Sequence, residues 1–110
     1  MANSYDNESA EDIASELLVL ASTRISFGGI PLIREISIDN DAKNVLFNFI
    51  LGGVRKIGFS SVENRVILER ELMRFVDSII LYCRENRYET INMGIVEWAK
   101  RNFCPCPPYG

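Results

Sequence analysis

The longest regular pattern in the chain runs from residue 61 to residue 86 and constrains the fold more than any other feature. Its apolar positions fit one broad helical stripe: 62, 66, 67, 68, 72, 73, 75, 76, 79, 80 and 83. With Ser60 as N-cap, Glu63 takes the third helical position and completes a capping box. A helix of this length, about 39 Å, needs other elements packed along it. Residues 79–83 are apolar nearly all round, so this part is predicted to pass through a core.

Three shorter helices are predicted around this long one. Ser9 and Asp12 form the cap of an amphipathic helix over residues 9–24. A second helix, over residues 41–51, is apolar on most sides and is therefore predicted to be central and buried. A final helix spans residues 89–102. The sequence thus predicts an all-α fold, a compact bundle of four to six helices around a central apolar helix.

The length of 110 residues fits one domain. That domain is predicted over residues 9–103, after a polar leader at 1–8 that is expected to be disordered. Residues 104–110 form a Pro- and Cys-containing tail, in which the prolines cannot continue the last helix. No run of 18 apolar residues is present, so no transmembrane segment is expected.

Two short segments allow more than one interpretation. Over residues 32–38, Ile36 and Ile38 alternate as in a strand, whereas Leu32, Ile33 and Ile36 suit a helical turn. A loop or short helix is favoured, because a lone strand has no evident partner. The Gly52-Gly53 pair either stops the second helix or lets another backbone come close.

The composition argues against most enzyme chemistry. The chain contains no histidine, which removes the usual general base and the usual zinc-binding nitrogen. Acid–base work by paired carboxylates requires a buried acid, and none is indicated. Glu71 is spaced to form an exposed ion pair with Arg74 on the helix surface, so it is not expected to be buried. Arg65 and Glu69 are spaced for a similar exposed pair. The protein is therefore predicted not to be an enzyme.

Specific ligand motifs are also missing from the sequence. Asp39 and Asp41 are explained by helix capping, and as a calcium loop their segment carries Lys43, Asn44 and Ile50 at unsuitable positions. Neither glycine pair belongs to a phosphate-binding motif. No cofactor is therefore expected.

The cysteines indicate neither a metal site nor a disulfide framework. Cys83 lies in an apolar run, and Cys104 with Cys106 lacks the further ligands that zinc needs. Three cysteines without a signal peptide favour a reducing, intracellular location in the cytoplasm. A net charge of -3, with arginines dispersed among acids, argues against nucleic acid as a partner.

After these exclusions, the apolar surface is the remaining indication of function. Six large aromatic side chains exceed what a domain of about four helices is expected to cover. They are Phe47, Phe49, Phe59, Phe75, Trp98 and Phe103. An apolar groove that accepts an amphipathic helix, or a self-associating face, would absorb the surplus.

Residues 41–53, DAKNVLFNFILGG, resemble the central hairpin of the B-cell-lymphoma family of apoptosis regulators. In that family an Asn-Trp-Gly-Arg signature leads into an aliphatic-aromatic run that ends in a pair of small residues. The later segment LYCRENRYETINMGIVEWAKRNF is similar to the family's next helix and its Trp-containing homology region. The order and approximate spacing match over residues 41–103. Ala42, Lys43 and Asn44 take the signature's Trp, Gly and Arg positions.

The resemblance implies a groove along the second helix that holds a pro-death helix. It assigns that groove to Asn44, Val45, Phe47 and Gly53. The sequence thus predicts a non-enzymatic interaction module that sequesters an amphipathic helix of a partner protein, with inhibition of apoptosis as its most concrete form. A charged residue in place of Phe47 is expected to abolish this capture.

Two other functions are compatible with the sequence. The first is a small acidic inhibitor or immunity-type protein that masks a basic surface of a toxin or nuclease. Its candidate contacts are Glu63, Glu69, Glu71, Glu85 and Glu89. The second is a homodimer formed through the helix at 61–86, which is compatible with either mode of binding.

Overall fold

The computed structural model describes residues 9–27, 36–103 and 107–109. Within them lie four helices, which confirms the all-α bundle. The helices are α1 (Ala10–Phe27), α2 (Asn40–Ile57), α3 (Val62–Asn86) and α4 (Met93–Asn102). The leader at 1–8, residues 32–35, Cys104 and Cys106 lie outside the described residues.

Helix α1 begins as its sequence predicts. The Ser9 amide donates to Asp12 Oδ2 at 3.2 Å, and the Asp12 amide donates to Ser9 Oγ at 3.1 Å. This reciprocal arrangement satisfies backbone N–H groups that have no partner within the helix. The helix ends at Phe27, three residues later than predicted. Its buried face is formed by Ile13, Ala14, Leu17, Ala21 and Ile25.

Helix α2 extends well beyond its predicted end at residue 51. Asp39 caps it, accepting a hydrogen bond from the Ala42 amide at 2.9 Å. The helix then passes through both glycines and stops at Gly58, whose φ of 80° is a conformation that glycine adopts readily. Burial of Ile50 and Val54 on either side of the glycines compensates for their poor helix propensity.

Helix α3 ends at Asn86 as predicted, but its cap differs from the prediction. Ser61, not Ser60, is the N-cap, and its side chain accepts from the Asn64 amide at 3.0 Å. Glu63 therefore occupies the second helical position, and the predicted capping box is wrong. Asn64 takes the third position and donates from its side-chain amide to the Ile57 carbonyl at 2.8 Å, which ties α3 to the end of α2.

A short parallel strand pair connects two parts of the chain for which helix or loop was predicted. Strand β1 (Ser37–Ile38) pairs with strand β2 (Thr90–Ile91), with Ser37 opposite Thr90 and Ile38 opposite Ile91. The preference for a loop or short helix at 37–38 was therefore wrong. The partner strand lay within residues predicted as the start of the last helix, which instead begins at Met93.

The core of the described chain is asymmetric around α2. Helix α1 packs along α2, α4 packs on the same helix, and α3 packs more closely on α1 than on α2. Cys83 is buried in the core, as predicted. The thin contact between α2 and α3 leaves space that neither helix fills. Among the described residues, no helix has the length and apolar character needed to cross a membrane.

Candidate interaction sites on two sides of helix α3

The four binding residues predicted on α2 are spread around the helix. Successive helical residues are about 100° apart, so Asn44, Val45, Phe47 and Gly53 point in different directions. Asn44 is exposed, Val45 and Phe47 are half-buried on the two flanks of the helix, and Gly53 is buried. The structure therefore distributes these residues around α2.

Gly53 lies against Tyr109, a side chain from the far end of the chain. A Cβ atom added at Gly53 would collide with Cδ1 and Cε1 of the Tyr109 ring, whereas one added at Gly52 would meet open space. Of the two roles foreseen for the glycine pair, close approach is therefore observed, and the approaching group is an aromatic ring. Tyr109 is only 9% exposed.

The Tyr109 ring fills the space between α2 and α3. Its hydroxyl donates to the Leu68 carbonyl of α3 at 2.7 Å. The ring stacks on Phe49 of α2, with centroids 5.2 Å apart and an angle of 23° between the planes. Phe49 in turn packs on Phe75, at a centroid distance of 4.7 Å. We call the space bounded by Phe49, Gly53 and the Leu68 carbonyl the tyrosine pocket.

The electrostatics of the tyrosine pocket favour a neutral phenol. Burial raises the pKa of Tyr109 far above its ordinary range, and the negative charge of Glu71 raises it further. The hydroxyl therefore keeps its proton and remains a hydrogen-bond donor to Leu68. No buried side-chain nitrogen or oxygen in the described chain is left without a partner.

Glu71 is a buried acid that the sequence did not reveal. The predicted pair with Arg74 is present, but Glu71 is only 7% exposed, so the prediction that the pair lies at the surface is wrong for its carboxylate. Its Oε2 accepts from Arg70 Nε at 2.8 Å, and its Oε1 lies 3.7 Å from Arg74 Nη1. Both arginines remain largely exposed at their ends. Two guanidinium groups therefore hold the carboxylate in an ion-pair arrangement.

An open cleft of about 120 Å³ lies between α3 and α1, and we call it the α1/α3 groove. Its lining residues are Ile13, Glu16, Leu17, Leu20, Arg65, Leu68 and Glu69. Leu20 is 43% exposed although it lines the cleft, and the Arg65 Nε donates to the Phe59 carbonyl at 2.9 Å.

Exposed apolar residues continue from the α1/α3 groove along α3. Val62 is 77% exposed and Val66, one turn later, is 53% exposed. Glu69 follows on the same stripe of the helix, since residues three and four apart are neighbours on a helix surface. The apolar surface is therefore contiguous with the acidic rim of the groove.

The aromatic surplus is partly used in packing α4 onto the end of α3. Trp98 stacks on Tyr82 with centroids 4.2 Å apart, and Phe103 meets Trp98 edge to face at 5.2 Å. Tyr88 adds a tilted contact with Tyr82 at 5.8 Å. These rings stabilise the fold, so the open apolar surface lies elsewhere.

The acidic residues proposed as contacts for a basic partner do not gather on one face. Glu71 is buried and cannot serve as a surface contact. Glu63 and Glu85 are exposed but lie about 33 Å apart along α3. Glu69 points in a different direction from both. This arrangement gives no support to the toxin-masking function.

Tyr109 and Leu20 are the functional candidates that the sequence did not single out. Tyr109 follows prolines that end the regular pattern, and no periodicity relates it to Gly53. A large aromatic near the terminus and a small residue in an apolar helix were the only available signals. Leu20 belongs to the apolar stripe of α1, and its exposure depends on where α3 crosses that helix.

The described residues contain no group of three or more histidine, cysteine, aspartate or glutamate side chains that could hold a metal ion. Comparison of the chain with protein-family models, curated proteins and solved structures finds no significant match.

Proposed function

We propose that this protein is a non-enzymatic interaction module that binds an amphipathic helix of a partner protein in the α1/α3 groove. The observation that carries the proposal is the groove itself. Leu17 and Leu68 form an apolar floor, and Leu20 stands partly exposed at its edge. A helix laid between α1 and α3 would bury this surface together with Val62 and Val66.

The charge at the rim suggests the composition of the partner helix. Glu16 and Glu69 line the α1/α3 groove on its two walls and outnumber Arg65, the one cation among its described lining residues. Neither carboxylate is in an ion pair with another described residue. Lysine or arginine beside the apolar face of the partner would complement these carboxylates. The partner is therefore proposed to be a basic amphipathic helix.

The size of the groove sets the expected affinity. Two or three apolar anchors, each contributing roughly 1.5–3 kcal/mol by burial, must offset the cost of association. We therefore expect dissociation constants in the micromolar range, roughly 1–100 μM. Rim charges should make binding weaken as salt is raised.

Selection from a displayed library of 18-residue peptides tests the proposal. The library would carry leucine or phenylalanine at the helical spacing i, i+4, i+7 and lysine at the flanking positions. Selected peptides should lose at least tenfold in affinity for Leu20→Asp. Val19→Asp is the matched control, because Val19 is 64% exposed on the same helix but does not line the groove.

Two results would argue against the groove. One is equal binding by the Leu20→Asp and Val19→Asp proteins. The other is a wild-type dimer, seen by sedimentation, that Leu20→Asp converts to a monomer. In that case a second copy of the chain would cover the groove.

The resemblance over residues 41–103 supports a more specific form of the proposal, in which helix capture inhibits apoptosis. It places the partner on α2, around Phe47, whereas the open groove lies between α1 and α3. Phe47→Asp separates the two forms, provided that circular dichroism shows a folded protein. Loss of peptide binding in Phe47→Asp, with retention in Leu20→Asp, would favour the site on α2.

A further inference from the structure

The last described residues enter the bundle through two buried residues, of which Tyr109 reaches furthest between α2 and α3. Pro107 is exposed, whereas Pro108 and Tyr109 are buried. Tyr109 belongs to no helix or strand, and it holds its place through its ring and hydroxyl. This is how a peptide ligand occupies a pocket, with an anchor side chain that follows a turn.

Two features of the tyrosine pocket select for tyrosine. The Leu68 carbonyl lies inside α3 and accepts the phenol proton at 2.7 Å, which phenylalanine could not provide. On the other wall, Gly53 brings the α2 backbone so close that no Cβ fits beneath the ring. Phe49 covers a ring face by stacking. Together these contacts specify a flat ring with a hydroxyl at its far end.

We propose that the tyrosine pocket is a peptide-binding site for a proline-flanked, tyrosine-bearing segment, and that the chain's own residues 107–109 occupy it as an intramolecular ligand. A segment of the same chemistry supplied from outside takes the pocket when Tyr109 is removed. Binding of this kind differs from helix capture in the α1/α3 groove, because its ligand is a short non-helical segment and its determinant is one phenol. The two sites adjoin on α3, where both involve Leu68.

A peptide titration on full-length Tyr109→Ala tests the site. The probe is a fluorescein-labelled peptide of residues 103–110 carrying Cys104→Ser and Cys106→Ser, followed by fluorescence anisotropy. We expect saturable binding with a dissociation constant below about 100 μM. Binding to the wild-type protein should be at least tenfold weaker, because Tyr109 competes from an effective concentration in the millimolar range, about 1 mM or more.

Three matched controls assign the binding to the tyrosine pocket. A peptide with Tyr109→Phe lacks the hydroxyl and should bind roughly 2- to 10-fold more weakly. Adding Gly53→Ala to the Tyr109→Ala protein should weaken binding at least tenfold, because the new methyl group occupies the place of the ring. Adding Gly52→Ala should leave the affinity unchanged, since nothing lies within 4 Å of that position.

The proposal is overturned if folded Tyr109→Ala does not bind the peptide, if it binds no better than the wild type, or if Gly53→Ala has no effect. Should Tyr109→Ala fail to fold, full-length Gly53→Ala provides an independent test. Carboxypeptidase should then release Tyr109 at least tenfold faster from Gly53→Ala than from Gly52→Ala or the wild type. Equal release rates from the three proteins would likewise overturn it.

Discussion

The apolar surface beside helix α3 is covered on the side toward α2 and exposed on the side toward α1. Toward α2, the tyrosine pocket is filled by Tyr109, with its hydroxyl paired and its ring stacked. Toward α1, the groove is open, and Leu20, Val62 and Val66 remain exposed beside it. One helix thus borders a filled pocket and an open groove, and Leu68 belongs to both.

The difference shows which side contributes to folding and which is available for binding. A filled pocket gains from burial in the free protein, so altering it should change stability. Exposed apolar groups contribute little to folding, so altering them should change binding while stability is preserved. Stability measurements can therefore separate the two sides before any partner is identified.

The largest expected effect is at Leu68, whose side chain is fully buried and lines the floor of the groove. Leu68→Ala should lower the free energy of unfolding by about 2–5 kcal/mol, because it removes buried methyl groups and leaves a cavity. Leu20→Ala, at the exposed edge of the same groove, should cost less than about 1 kcal/mol. Urea denaturation of both variants would measure the contrast, and similar losses would show that the groove is not open.

The next largest contrast is between the adjacent glycines, whose substitution by alanine should change the free energy of unfolding in opposite directions. Gly53→Ala should lower the free energy of unfolding by roughly 1–3 kcal/mol, because its methyl group displaces the Tyr109 ring. Gly52→Ala should raise the same quantity by up to about 1 kcal/mol, because alanine is the better helix former and has open space. A fall in stability for both variants would mean that the Tyr109 contact does not decide the outcome.

Alkaline pH should destabilise the protein by ionising its buried thiol and its buried phenol. Burial raises the pKa of Cys83 from an ordinary value of 9.0 to about 11, and that of Tyr109 above its usual range as well. Because the folded-state pKa is the higher one, the thiol's contribution is fully present below pH 9 and is lost as pH rises toward 11.

The slope of this loss is at most about 1.4 kcal/mol per pH unit for each group. In Cys83→Ala, the decline that remains above pH 10 should come from Tyr109 together with Tyr82, since burial raises the pKa of both. The share due to Tyr109 should be absent from Cys83→Ala/Tyr109→Phe. If Cys83→Ala is as stable at pH 11 as at pH 8, ionisation of Tyr109 is not opposed by the tyrosine pocket.

The smallest expected effect is the loss of the Tyr109 hydroxyl. Tyr109→Phe keeps the ring and its stacking on Phe49 but removes the hydrogen bond to the Leu68 carbonyl. The expected cost is about 0.5–1.5 kcal/mol, since that carbonyl lies within a helix. Thermal denaturation beside the wild type would measure it. A cost above about 3 kcal/mol would indicate that the hydroxyl has a larger role than this single bond.

Two helix ends set by local sequence were predicted correctly, although the N-cap of α3 was placed one residue too early. The Ser9–Asp12 cap of α1 and the end of α3 at Asn86 follow from residues within one turn of each helix end. The end of α2 was not predicted, because burial of Ile50 and Val54 carries the helix past two glycines whose local preference is to break it. Packing between distant segments overrides local propensity at that point.

Features that join distant segments were missed for the same reason. The strand at 37–38 depends on Thr90–Ile91, more than fifty residues later, and two-residue strands carry too little alternation to be recognised. Glu71 lies at the edge of the apolar stripe of α3, where burial depends on what packs beside it. The tyrosine pocket combines residues from α2, α3 and the C-terminal segment, so no local pattern describes it.

Leu68 belongs to both sides of α3, and this has a thermodynamic consequence. Its side chain lines the α1/α3 groove, and its carbonyl accepts the Tyr109 hydroxyl. If a ligand in the groove shifts α3, it changes how strongly the C-terminal segment is held, and release of that segment changes the affinity of the groove by the same factor. The shared leucine thus provides a direct route for coupling between the two sites.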